Sequence, residues 1–159
     1  MNKKDTVVFD LDGTLLDTLE DLKNSVNYAM TQCGYPEHTL DEVRRYVGNG
    51  ILLLMQRAIP GGKYDPNFDK AFTLFKEHYG KHCNDTTKSY AGIMELLHTL
   101  KENNIKIAIV SNKADFAVKE LNAIYFKDLI PVAIGEKESE GIRKKPAPDT
   151  VIEALKQLG

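Results

Sequence analysis

The feature that most constrains this chain is a short run near its N-terminus. Thr6-Val7-Val8-Phe9 is β-branched and aromatic, with no polar alternation. A strand of that kind is covered on both faces, as in a parallel sheet sandwiched by helices. It runs directly into Asp10-Leu11-Asp12-Gly13-Thr14. Two acids and a turn therefore stand at the C-terminal end of a buried strand, which is where open α/β sheets bind ligands. Ile105-Lys106-Ile107-Ala108-Ile109-Val110 reads as a second strand, and Leu129–Ile134 contains a short third one. Helical stripes over 92–102, over 114–124 and from Asp149 onward separate and follow them. Helices alternating with apolar strands predict a parallel sheet with right-handed crossovers.

Between the first strand and this alternating part lies a long helical block, too long for one crossover. Asp17 or Thr18 can cap a helix whose apolar residues Leu22, Val26, Ala29, Met30 and Cys33 keep a 3.6 period, and Gly34 stops it. Thr39-Leu40-Asp41-Glu42 is a capping-box pattern. Gly48-Asn49-Gly50 breaks that second helix, and a third runs from Ile51 to Ile59. Phe68, Ala71, Phe72, Phe75 and Tyr79 stripe a fourth. The expected organisation is a core domain of residues 1–15 and 89–159, with a helical domain of residues 16–88 inserted into it.

Composition narrows the function classes. Of 159 residues, 42% are hydrophobic and 28% charged, enough apolar surface to fill a core. Lys+Arg is 21 against Asp+Glu 23, a net charge of −2 with no electrostatic footprint for nucleic acid. Apolar runs such as Ile51–Met55 are too short to span a membrane, and no signal-peptide region follows the N-terminus. Two cysteines, Cys33 and Cys83, read as reduced thiols of a cytoplasmic protein.

Three clusters carry candidate chemistry. In the first, a turn at Gly13 lets Asp10 and Asp12 converge. One can serve as nucleophile or metal ligand and the other in proton transfer, and paired acids attract a hard divalent cation. An ordinary acidic turn is the plainer explanation. In the second, Ser111-Asn112 follows the strand expected to end at Val110 and could hold phosphate oxygens, although a helix N-cap would look the same. In the third, Lys145 precedes Pro146 in a loop beyond a strand. It could neutralise a transferring phosphoryl group or simply be a solvated surface charge.

In this order and at strand ends, the set resembles the haloacid dehalogenase (HAD) superfamily. Asp10-Leu11-Asp12-Gly13-Thr14-Leu15-Leu16-Asp17 is similar to its first motif, Ser111-Asn112-Lys113 to its second, and Lys145-Pro146-Ala147-Pro148-Asp149 to its third. Tyr46-Val47-Gly48-Asn49-Gly50 and Tyr90-Ala91-Gly92-Ile93 resemble the phosphoglycolate phosphatases within it. The resemblance implies a Rossmann-like three-layer α/β core with a parallel sheet and an inserted all-helical type 1 cap. It implies a phosphatase acting on a small phosphorylated metabolite through an aspartyl-phosphate, 2-phosphoglycolate being the leading substrate. Asp10 would be the nucleophile and a Mg2+ ligand. Asp12 would move the proton and bind Mg2+ through its backbone carbonyl. Ser111, with the Asn112 backbone, would hold the phosphoryl oxygens and Lys145 would neutralise them, with Thr14 orienting an aspartate. Gly48, Asn49 and Gly50 are candidates for substrate contact.

The alternatives are a sugar-phosphate mutase of the β-phosphoglucomutase type and an inactive phospho-acceptor or interaction module. The family's fourth motif, an acidic cluster after a further strand, is expected beyond Gly159. The resemblance thus implies a C-terminally truncated chain of doubtful activity. It would leave the first strand at a sheet edge, where a homodimer or strand exchange is expected. His78 and His82 stand i, i+4 on one helix with zinc-like spacing, but a solvated face is the expectation there.

Overall fold

In the computed structural model, residues 4–159 are described. Their contacts divide the chain into two units, one made of the segment up to Leu16 together with Ser89–Gly159, the other of Asp17–Lys88.

The first unit is built on a three-stranded parallel sheet of β1 (Thr6–Phe9), β4 (Lys106–Ala114) and β5 (Val132–Glu136), in the order β1-β4-β5. Two-residue strands β2 (Leu16–Asp17) and β3 (Lys88–Ser89) form a separate sheet that the sequence pattern did not foretell. Helices α5 (Ile93–Glu102), α6 (Asp115–Tyr125) and α7 (Asp149–Leu158) complete the unit. Side chains leave a strand alternately to either face, and β4 shows why its apolar run is unbroken. Ile107 and Ile109 join Leu97, Val118, Leu121 and Phe126 on the face covered by α5 and α6. Ala108 and Val110 join Val132, Ile134 and Ala154 on the face covered by α7. Both faces are buried, so the core has three layers, as the resemblance implies.

The strand ends differ from expectation in an informative way. β4 does not stop at Val110 but continues to Ala114. Its pairing with β5 is regular through Val110↔Ile134 and resumes at Ala114↔Glu136. Four steps on β4 thus face two on β5, and the extra residues bulge out at Ser111, Asn112 and Lys113. Such bulges re-aim side chains beside functional sites.

The second unit is a helical bundle of α1 (Leu19–Gln32), α2 (Leu40–Tyr46), α3 (Ile51–Ala58) and α4 (Phe68–His82). Its core joins Leu22, Val26 and Met30 of α1 to Val43, Leu54, Met55, Phe75 and Tyr79. Thr39 and Glu42 make the expected capping box on α2. α1 starts at Leu19 without a side-chain cap from Thr18. It ends in a Schellman turn, with Gly34 N–H donating to Thr31 O and Tyr35 N–H to Met30 O. Gly34 supplies the φ of 75° that this turn requires. Cys33 and Cys83 are free thiols, and no helix among the described residues is long and apolar enough to cross a membrane.

Asp21 of α1 is 1% exposed. Its carboxylate accepts from the backbone N–H and hydroxyl of Thr86, at 3.0 and 2.8 Å, and from those of Thr87, at 2.9 and 2.8 Å. Four donors aimed at one buried charge tie the end of the unit to its beginning. Asp21→Ala should destabilise the protein by about 1–3 kcal/mol, because the buried Thr87 N–H is left without its acceptor. Urea unfolding checks this, and a loss under about 1 kcal/mol would show that water replaces the carboxylate.

Candidate active site

The loop after β1 winds around one carbonyl. Leu11 O accepts from the N–H groups of Thr14, Leu15 and Leu16, at 3.2, 3.0 and 3.1 Å, while Gly13, at φ 76°, donates to Leu16 O at 2.9 Å. The Leu11 side chain is fully buried in the core. Asp10 and Asp12, one residue to either side, are partly exposed. Each finds a lysine. Lys145 Nζ donates to Asp10 Oδ1 at 2.9 Å and to Val110 O at 2.9 Å. Lys113 Nζ donates to Asp12 Oδ1 at 2.9 Å.

The two ammonium groups differ in setting. The Lys145 side chain is 31% exposed, whereas that of Lys113 is only 3% exposed. A buried lysine keeps its charge only where it is paired, and here the partner is Asp12. The bulge aims Lys113 at that carboxylate. Ser111 is buried, and its hydroxyl accepts from Lys113 N–H at 3.2 Å. The Asn112 side chain pairs with Lys145: Oδ1 accepts from Lys145 N–H at 2.9 Å and Nδ2 donates to Lys145 O at 3.1 Å. This two-way amide pairing holds the lysine's own backbone against the bulge. Neither Ser111 nor Asn112 caps a helix, since α6 begins at Asp115.

Several supporting residues went unread in the sequence. Gly135 of β5 lies opposite the bulge, where an added Cβ would sit 2.4 Å from Asp115 Cα and 2.6 Å from Lys113 O. Only glycine lets the backbones come that close, and an isolated glycine in a strand pattern was the available signal. Arg143 and Asp149 close the Lys145 loop with a two-pronged pair at 2.9 and 2.8 Å. The guanidinium holds the Asp149 carboxyl below its ordinary range. The Lys145–Pro146 peptide is cis.

The remaining candidates fall elsewhere. Thr14 is exposed, and its hydroxyl bonds to neither aspartate, so the expected orienting contact is absent. Gly48, Asn49 and Gly50 belong to the helical unit, between α2 and α3, where Asn49 Oδ1 accepts from Arg57 at 3.0 Å. Among the described residues no three His, Cys, Asp or Glu side chains gather as a metal cluster. The donor chemistry still suits one ion: Asp10 and Asp12 offer hard oxygens, and Mg2+ binds through one or two carboxylates plus waters and phosphate oxygens.

Comparison with known proteins now bears on this geometry. The family model of the haloacid dehalogenase-like hydrolases matches residues 7–159. The chain belongs to that family. It is 30% identical over 158 residues to a phosphoglycolate phosphatase of Thiobacillus denitrificans, covering 96% of this chain and 69% of the relative. It is 32% identical to a phosphoglycolate phosphatase of Aquifex aeolicus, covering 96% and 70%. A solved structure from Lactobacillus delbrueckii subsp. bulgaricus, whose phosphoglycolate phosphatase description is itself provisional, superposes with a TM-score of 0.91 at 33% identity. That match covers 99% of this chain and 74% of the other. Members of the family are hydrolases, and Asp10 and Asp12, which make the two ion pairs, follow the C-terminal end of β1.

Asp115 stands where β4 gives way to α6. Burial pushes the Asp115 carboxyl up, but the hydrogen bonds from Lys119 and Gly135 N–H outweigh it and hold the group below its ordinary 3.8. A depressed carboxyl stabilises the fold above the unfolded-state value and loses that contribution as pH falls through the folded-state value. Asp115→Asn should therefore be less stable than wild type at neutral pH, with the gap closing below about pH 4. Thermal unfolding across pH 2–7 measures it, and a gap independent of pH would contradict the assignment.

Proposed function

We propose that this chain hydrolyses small phosphate monoesters, with 2-phosphoglycolate as the leading substrate, by way of a phosphoryl group carried on Asp10. The observation that carries the proposal is the Lys145 ammonium 2.9 Å from Asp10 Oδ1 and from Val110 O. It is supported by the two relatives named phosphoglycolate phosphatase.

In the first half-reaction an Asp10 oxygen attacks phosphorus. The bond from phosphorus to the ester oxygen breaks, and Asp12, which enters the cycle as the acid with Oδ1 held by Lys113, gives its proton to the departing alcohol. In the second, water attacks the same phosphorus while Asp12 takes up the water's proton. Inorganic phosphate leaves and the Asp10 carboxylate is restored. A carboxylate approaching a phosphate dianion meets like-charge repulsion, which Lys145 offsets as a fixed cation. Ser111 sits in the bulge where it can hold a phosphoryl oxygen. The Asp10 carboxylate and the Asp12 carbonyl would hold Mg2+, whose charge lowers the same repulsion. Lys113 fixes the Asp12 carboxylate in place, so it acts by positioning the proton carrier.

Leaving-group dependence tests these roles. Asp10→Asn should abolish release of inorganic phosphate from every ester. Lys113→Met should slow alkyl phosphates by roughly 100-fold, the scale of a misplaced catalytic group. With p-nitrophenyl phosphate, whose leaving group needs no proton, the same variant should release a burst of p-nitrophenolate before slow turnover. Phosphate release by Asp10→Asn would overturn the nucleophile assignment, and equal slowing of both esters without a burst would overturn the role of Lys113. Transfer of the phosphoryl group to a second sugar hydroxyl, in place of phosphate release, would favour the mutase.

A further inference from the structure

The second unit carries a cluster that phosphate chemistry does not use. His78 and His82 stand one turn apart on α4, and the sequence pattern suggests a solvated face. They are more organised than that. The two rings lie 4.3 Å apart at 25°, and Tyr28 of α1 covers the far side of His78 at 4.4 Å. His78 Nδ1 is 2.9 Å from Ser25 Oγ, a fully buried hydroxyl. His82 Nδ1 is 2.7 Å from Asp85 Oδ2. Each ring is thus pinned at one nitrogen by an oxygen of its own, and neither Nε2 has a partner among the described residues.

We propose that His78 and His82 form a two-imidazole site for a late first-row divalent ion such as Cu2+, Ni2+ or Zn2+, with Ser25 and Asp85 as its orienting shell. Two observations carry it. Metal-bound histidines characteristically engage their other ring nitrogen with a carboxylate, carbonyl or hydroxyl, which fixes the tautomer and strengthens the ligand. Here both rings have that contact before any ion is bound. Asp85, accepting from His82 Nδ1–H, leaves a lone pair on Nε2. Ser25 can accept in the same way from His78, and an ion selects that tautomer. Second, i, i+4 spacing puts both imidazoles on one helix face, the arrangement that helical metal motifs use.

The geometry also says what kind of site this is. The rings lie nearly parallel, so chelation requires the two Nε2 atoms to converge. The His82 side chain, 45% exposed, has the room to turn. Two protein ligands leave water in the remaining positions. The site is therefore an exchangeable one, distinct from a closed four-ligand structural zinc. Imidazole prefers Cu2+, Ni2+ and Zn2+ in the Irving–Williams sense and leaves Mg2+ to oxygen donors, which separates it from the Asp10–Asp12 pair.

Cu2+ titration followed by electron paramagnetic resonance tests the site on the intact chain without reference to catalysis. The expected result is one ion bound with coupling to two imidazole nitrogens. That signal should be lost in His82→Ala, a substitution at a half-exposed position that leaves the circular dichroism unchanged. Asp85→Asn should keep both nitrogens but weaken binding by about tenfold, the usual cost of losing an orienting partner. An all-oxygen spectrum, coupling to a single nitrogen, or a two-nitrogen signal that survives in both His82→Ala and His78→Gln would overturn the proposal. An unchanged affinity in Asp85→Asn would overturn the orienting role.

Discussion

The parallel register of β1 on β4 is the constraint on which the site depends. Phe9 stands opposite Ile109, so the next residues, Asp10 just past the end of β1 and Val110 still within β4, stand side by side. That single alignment puts the Asp10 carboxylate and the Val110 carbonyl within reach of one ammonium, and Lys145 bonds to both. Side chains alternate along a strand, so a slip of one residue would turn Ile107 and Ile109 out of the α5–α6 face and carry Asp10 away from its lysine. Hydrophobic burial on two faces and placement of the acid are therefore the same fact seen from two ends of the strand.

The bulge in β4 is the second determinant. A regular strand would send Ser111, Asn112 and Lys113 alternately to the two faces. The two extra residues free them from that alternation, and three consecutive side chains then serve one place. Lys113 reaches Asp12, the Asn112 amide grips the Lys145 backbone, and the Ser111 hydroxyl accepts from the chain itself. Gly135 across the pairing makes room for this, with its own N–H donating to Asp115 at 2.8 Å. Lys113, which meets Asp12, is buried, and Lys145, which meets Asp10, is partly open to water.

Much of this was legible in the residues. The unalternating apolar run Thr6–Phe9 announced a strand covered on both faces, and the acids at its end announced a site. Thr39 and Glu42 announced a capped helix, because a capping box is a local device that needs no tertiary contact. What stayed hidden was non-local. Nothing near Lys113 in the sequence says that its partner is Asp12, about a hundred residues earlier. The continuation of β4 past Val110 was missed because Ser-Asn-Lys has poor strand propensity, and pairing with β5 overrides it. Thr14 was given a hydroxyl contact that the tight winding about Leu11 does not deliver. The pair His78 and His82 was read as solvated because their partners, Ser25 and Asp85, lie on another helix and beyond a helix end.

The account rests on Asp10 becoming covalently phosphorylated. The most direct measurement quenches the enzyme during turnover, reduces it with borohydride and sequences the N-terminal peptide. An aspartyl-phosphate is reduced to homoserine, whereas a free carboxylate is untouched. Homoserine at position 10, and at no other aspartate, is the predicted result. Unmodified Asp10 in an enzyme that is releasing phosphate would contradict the account and point to direct attack by water.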